Sequence, residues 1–190
     1  MGLGPFAVVD VETSGLRPWR DHVIQIGVVT VTADGTEVDR WSTLVRLRRP
    51  WHRVGPKHIH GISRWSLRGA SRPADAFREL AARLDGAVFT AHNAAFDAAF
   101  IERSSRLCDV PIHVGRLLCT LDLSRRLDPE RVQAHGLADV CARYHVALSR
   151  HHDALADAEA TAAVLPHLLA AHGVTQAGEL SDAFLLPASA

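Results

Sequence analysis

Apolar residues form short β-branched runs in the first third of the chain, and later fall at the three- and four-residue spacings of amphipathic helices. Phe6–Val11 has buried-strand character, yet two acids, Asp10 and Glu12, stand one residue apart at its end. His22–Thr32 is the strongest strand signal, and Ala33-Asp34-Gly35-Thr36 after it is a hairpin turn centred on Asp-Gly. The return through Glu37–Leu47 completes a three-stranded antiparallel meander whose first strand carries the acids. Ala76, Phe77, Leu80, Ala81 and Leu84 predict a helix over Pro73–Leu84, ended by Asp85-Gly86. Ala87–Ala91 is a short buried strand, and Asn93 can cap the next helix, in which Phe96 and Phe100 pack as core at i and i+4. Leu117–Leu121 is a further strand leading into a helix near Asp122–Leu127, and Gly136–Tyr144 is helical. A last long helix runs from about Asp153 to Ala171, with Pro166 expected to kink it. Strands first, then alternating helices and strands, predict an α/β fold with a mixed sheet flanked by helices.

Composition narrows the class. The 190 residues suffice for one well-cored domain, and 47% hydrophobic with 22% charged residues is the balance of a soluble globular protein. No apolar run approaches the roughly 20 residues of a membrane span, so no membrane partner is expected. The N-terminus leads almost directly into the first strand without signal-peptide features. Cys108, Cys119 and Cys141 are odd in number and lack C-x-x-C spacing, which fits reduced thiols in a cytoplasmic protein. No repeat or long linker divides the chain; residues 1–172 read as one domain and 173–190 as a short C-terminal tail. In that tail Leu180, Phe184, Leu185 and Leu186 either dock as a small element or cover the core.

The formal net charge is zero, so any affinity for nucleic acid must come from local patches. Arg46–Arg53 is one such patch, a basic loop broken by Pro50 and Trp51. It is either a solvated surface loop or a phosphate-tracking loop whose Trp51 can stack on a base.

The acids carry the chemistry. Asp10 and Glu12 point to the same side of their strand, where they repel each other unless a positive charge compensates. Asp97 lies one turn into its helix, Asp157 lies early in the last helix, and His152 precedes Asp157 by five residues. Taken singly, Asp97 reads as an early-helix charge and Asp157 as a capping neighbour. If both helix starts meet the end of the first strand, four carboxylates converge. Such an oxygen-rich set suits two divalent cations, Mg²⁺ or Mn²⁺, and suits zinc poorly. Histidine, which ordinarily titrates near neutrality, then suits His152 to the role of general base.

These residues resemble the motifs of a known family. Asp10-Val11-Glu12-Thr13-Ser14-Gly15-Leu16 resembles the first motif of the DnaQ-like 3′→5′ exonucleases, and Asn93-Ala94-Ala95-Phe96-Asp97 the second. His152-Asp153-Ala154-Leu155-Ala156-Asp157-Ala158 is similar to the third motif of the DEDDh branch, which uses histidine rather than tyrosine. His60-Gly61-Ile62, Thr120-Leu121 with Leu123 and Arg126, and Gly136-Leu137-Ala138 are secondary matches. The resemblance covers roughly residues 6 to 170, and three ordered motifs are hard to meet by chance.

It implies an RNase H-like fold with a mixed five-stranded sheet, antiparallel meander first and parallel strands after, and a two-metal exonuclease site. Asp10, Glu12, Asp97 and Asp157 would hold the metals, and His152 would be the base; His151 competes but stands one residue out of register. Thr13 would lie near the terminal 3′-hydroxyl and Leu16 against the last base, with His60 and Asn93 lining the substrate pocket. The implied activity is hydrolysis at the 3′ end of single-stranded DNA or RNA to nucleoside 5′-monophosphates. DNA proofreading or repair is the first reading, with a polymerase as potential partner; an RNA-trimming or short-oligonucleotide ribonuclease is its rival. A non-catalytic nucleic-acid or polymerase-binding module would be signalled by loss of a motif acid or of the histidine, and all five are present. Many relatives carry an acid before Thr120-Leu121 where this chain has Cys119, a position outside the metal set.

Overall fold

The first strand, β1 (Phe6–Thr13), is apolar on both faces over its first half because it runs through the middle of the sheet. The computed structural model describes residues 5–148, 152–174, 180 and 182–187. His151, the rival of His152, and residues 175–179, 181 and 188–190 of the tail lie outside the described residues. The sheet also contains β2 (Val23–Val31), β3 (Glu37–Leu44), β4 (Val88–Ala91), β5 (Arg116–Cys119) and β6 (Leu185–Pro187), in the order β3-β2-β1-β4-β5-β6. β1, β2 and β3 are the expected antiparallel meander, whereas β4 joins β1, and β5 joins β4, in parallel. The five expected strands are present, and the tail supplies a sixth, antiparallel to β5. Leu180, Phe184 and Leu185 pack on one face of the core, and Leu186 packs against the other.

Strand alternation separates two apolar layers. Ala7, Val9 and Val11 of β1 face α2 (Pro73–Leu84) and α3 (Ala94–Arg106) through Phe77, Leu80, Ala98 and Ile101. Phe6 and Val8 face the opposite layer, which contains Val164, Leu165 and Leu168 of α6 (Ala154–Ala171) and Val140 of α5 (Leu137–Arg143). Asp10 and Glu12 share the parity of Phe6 and Val8. They therefore continue the α6 face past the start of that helix, where apolar cover ends.

Two shorter helices complete the frame: α1 (Lys57–His60), closed by Gly61 in the left-handed conformation, and α4 (Thr120–Arg126). β5 ends at Cys119, two residues before the expected boundary, and α4 starts at once. Cys119 is buried in the apolar layer, and its thiol, like those of Cys108 and Cys141, is free. α6 continues through Pro166 as one helix. Among the described residues no helix is long and apolar enough to cross a membrane.

Candidate active site

β1 outlasts its parallel partner. Pairing with β4 ends at Val8 opposite Thr90, so the β4-side edge of β1 is open beyond that point. The open edge is taken by a carboxylate: the Val11 N–H donates to Asp97 Oδ1 at 3.2 Å. Asp97 is 3% exposed, in the first turn of α3, where the helix dipole favours an anion. On the other face Asp10 stands opposite Gly27 of β2, and Glu12 opposite Gln25.

α6 delivers the fourth acid. Its first turn lies directly on β2 because Gly27 has no side chain: a Cβ there would come within 2.3 Å of the Ala154 carbonyl oxygen. Asp153 caps the helix, its Oδ1 accepting from the Ala156 N–H at 3.2 Å. The Gln25 amide grips this turn from below, donating to Asp153 Oδ2 and accepting from the Ala154 N–H, both at 3.4 Å. His152 takes a left-handed φ of 61° before the cap, and its backbone N–H donates to Asp157 Oδ2 at 3.0 Å. Ligand atoms of Glu12, His152 and Asp157 consequently lie within 4.8 Å of one another.

Crowded carboxylates shift one another. Burial, then Asp97, Asp157, Glu12 and Asp153, hold the Asp10 carboxyl well above the usual range. Burial followed by Asp157 and Asp153 pushes Glu12 up to about 7. Burial raises Asp97 as well, against the Val11 hydrogen bond that favours its ionised form. A cluster of carboxyl oxygens that resist ionising side by side, with one imidazole at the rim, is compatible with a divalent cation.

The cleft above the acids has a volume of about 610 Å³. Asp10, Glu12, Thr13, Leu16, His60, His152 and Asp157 all line it, and Asp97 closes it from beneath through Val11. Leu16 is 81% exposed at the rim. Thr13 turns its hydroxyl to the Gly15 carbonyl at 2.6 Å. His60 is buried, and its Nδ1 accepts from the Ile62 N–H at 3.0 Å, which leaves the ring proton on Nε2. Burial lowers its pKa, so the ring is neutral.

Asn93 departs from its expected place. It occupies the N-cap position of α3 with a left-handed φ of 69° and makes no side-chain cap. It lines a neighbouring hollow with Arg125 and Arg131 rather than the acid cleft. Phe96 also departs from a purely core role: it packs on Phe100 at 4.9 Å between ring centroids while walling the cleft.

Four features were not found by sequence reasoning. Asp153 adds a fifth carboxylate to the field, Gln25 clamps the start of α6, and Gly27 admits it. His92 walls the cleft, with Nδ1 on Thr120 Oγ1 and Nε2 on the His135 carbonyl, both at 3.0 Å. Burial lowers its pKa to about 4, so it is a neutral brace. The Asp153 cap had a signal in its helix-start position; Gln25, Gly27 and His92 had none without the packing.

Two predictions follow from this geometry. Gly27→Ala must displace the first turn of α6 by roughly 1 Å, which should slow catalysis by up to about 100-fold, the cost of a misplacement of that size; steady-state kinetics at saturating metal would check it, and an unchanged rate would refute the role of the close approach. The raised carboxyls also fix a pH dependence. A carboxyl whose folded pKa exceeds its unfolded value lends stability below the unfolded pKa, and that stability is lost as pH rises through the folded one. In EDTA the melting temperature should therefore fall from about pH 4.5 to above 7, the window of Glu12, and Glu12→Gln should flatten the fall. Mn²⁺ at about 100 times its Kd should restore roughly 5 °C or more at pH 8. A Tm that rises across this window would contradict the cluster's electrostatics.

The comparisons agree with the geometry. A family model described as Exonuclease (RNase_T) matches residues 7–165. The chain is 32% identical over 181 residues to the PolC-type DNA polymerase III of Lacticaseibacillus paracasei and 30% identical over 181 residues to that of Bacillus subtilis. Each match covers 93% of this chain and only 12% of the relative, so the chain spans about an eighth of their length. Among solved structures, Exonuclease X in complex with 5′-overhanging duplex DNA has a TM-score of 0.68 at 25% identity, covering 92% of this chain and 98% of that one. Exonuclease I of E. coli in complex with a dA16 oligonucleotide has a TM-score of 0.78 at 17% identity, covering 90% and 42%, and shows the fold alone. The sheet, the acids at the end of its central strand and the family match together show that the chain belongs to the DnaQ-like exonuclease family.

Proposed function

We propose that this chain is a metal-dependent 3′→5′ exonuclease of the DEDDh branch, hydrolysing single-stranded DNA to nucleoside 5′-monophosphates. The observation that carries the reading is the convergence of Glu12, His152 and Asp157 within 4.8 Å, beside Asp10 and Asp97, at the open end of β1. Asp10, Glu12, Asp97 and Asp157 would hold two divalent cations, Mg²⁺ or Mn²⁺. When bound, such ions polarise the phosphate and lower the pKa of water.

The remaining work falls to the protein. His152, exposed at the rim beside Glu12 and Asp157, takes the proton from the attacking water. The left-handed backbone and the hydrogen bond from its own N–H to Asp157 Oδ2 hold His152 at that rim. Leu16 offers an apolar face to the terminal base, and the backbone at Thr13 lies beside the 3′-hydroxyl. His60 Nε2–H is a neutral donor at the cleft floor. Asn93, expected to line the substrate pocket, lies instead in the neighbouring hollow with Arg125 and Arg131.

The PolC-type relatives favour DNA over RNA as substrate and a polymerase as partner. A matched DNA and RNA strand, labelled at either end and incubated with Mg²⁺ or Mn²⁺, tests the reading. Mononucleotides should appear from the 3′ end, faster from DNA, and EDTA should stop their release. Release from the 5′ end alone, or internal cleavage, would overturn it. A faster reaction on RNA would move the enzyme to the RNA-trimming class while leaving the site's chemistry intact.

A further inference from the structure

A second cleft of about 1050 Å³ lies between the β1–β2 turn and the loop from β3 to α1, and it shares Pro56 with the acid cleft. Its wall is the basic loop of the sequence, and that loop is built rather than merely solvated. Arg64 ties it down from Nη1 to the Pro50 carbonyl and from Nη2 to the His52 carbonyl, both at 2.6 Å. The His52 ring stacks on His22 of the opposite wall, 4.0 Å between centroids and 17° between planes. Gly55, at φ +94°, lets the loop cross over the first motif; a Cβ there would lie 2.7 Å from the Ser14 carbonyl oxygen. The loop is thereby pinned to the strand end that carries the acids.

The lining of this cleft is complementary to a polyanion that carries flat rings. Arg20, Arg53 and Lys57 line it and are exposed. Its one acid, Asp21, accepts from the Arg17 backbone N–H at 3.0 Å. Trp51 lines it too, 69% exposed, with the Arg49 guanidinium 5.2 Å over its ring. In a chain with no net charge, these three exposed cations and the exposed Trp51 indole on one built groove mark a binding surface rather than general basicity.

We propose that this groove is the track for the body of the single strand whose 3′ end lies among the acids. Arg20, Arg53 and Lys57 take successive phosphates, and Trp51 is a stacking platform for a base. The proposal rests on the exonuclease reading, and it adds that affinity for long strands is set outside the acid cleft.

The test uses a fluorescent single-stranded DNA 12-mer in EDTA, so that binding is read by anisotropy without hydrolysis. Trp51→Ala should weaken binding about tenfold, the loss of one stacked base. Replacing Arg20, Arg53 and Lys57 together by glutamine should make log affinity against log salt shallower by about 2, as for three lost contacts on a single strand. Both variants should hydrolyse thymidine 5′-(p-nitrophenyl phosphate), too short to reach the groove, at the wild-type rate. Unchanged affinity and salt slope would overturn the track, as would an equal loss on the short substrate, which would put these residues in the acid site or the fold. If the wild type with Mg²⁺ or Mn²⁺ hydrolyses neither the 12-mer nor the short substrate, the exonuclease reading fails, and the anisotropy still decides the groove.

Discussion

Asp10→Asn should stop hydrolysis and make the metal-free protein harder to unfold. Asparagine keeps the shape of the side chain opposite Gly27 and removes its charge. If Asp10 belongs to the proposed cation-holding set, its loss costs several kcal/mol of transition-state stabilisation, and the rate should fall by about 10³-fold or more. The stability gain has a separate origin. The folded protein holds the Asp10 carboxyl well above its ordinary range through burial and through Asp97, Asp157, Glu12 and Asp153. Ionising it therefore costs folding free energy, a cost that grows as pH rises above the unfolded pKa and is absent once the unfolded chain is also protonated. The variant should be more stable by on the order of 1 kcal/mol in EDTA at pH 8, with the gain fading towards pH 4. Urea denaturation at the two pH values measures this. A variant within about tenfold of wild-type activity would remove Asp10 from the site, and a less stable one would contradict its electrostatic strain.

His152→Asn should lower kcat by about 10²-fold while leaving KM nearly unchanged. Asparagine is chosen because the residue has a left-handed φ of 61°, which asparagine tolerates better than alanine. The backbone N–H that fixes Asp157 Oδ2 at 3.0 Å is kept, so the variant removes the ring without releasing the acid. The side chain is exposed, and added imidazole should therefore recover part of the rate. Near-normal kcat would pass the base role elsewhere and leave His152 as a rim residue.

What could be read from the sequence follows from what is local. The meander was legible because β2 and the Asp34-Gly35 turn are short-range patterns, and α2 because its apolar stripe repeats within a single helix. The convergence of the acids was legible because each stands at an element end where apolar cover stops: Asp10 and Glu12 past Val8, Asp97 and Asp157 in first helical turns. The sixth strand was not legible, since Leu185–Pro187 is three residues long and is a strand only by pairing with β5, some 70 positions away. Asn93 has the composition of a cap, yet its left-handed backbone turns it from that duty. The Gln25 clamp spans more than 120 residues between partners, and no periodicity announces such a contact.

Gly27 carries a lesson for reading this family's other sequences. It lies in none of the three motifs, and a glycine amid β-branched residues looks like a weak point in a strand. Yet the distance between the sheet and the first turn of α6 is set by its missing methyl group. A descendant that acquired alanine there would keep every acid and its histidine, and inspection of its motifs would still declare it competent. On that expectation catalysis would be slowed without leaving a mark on the signature, and an intact signature would be a necessary sign of this chemistry and not a sufficient one.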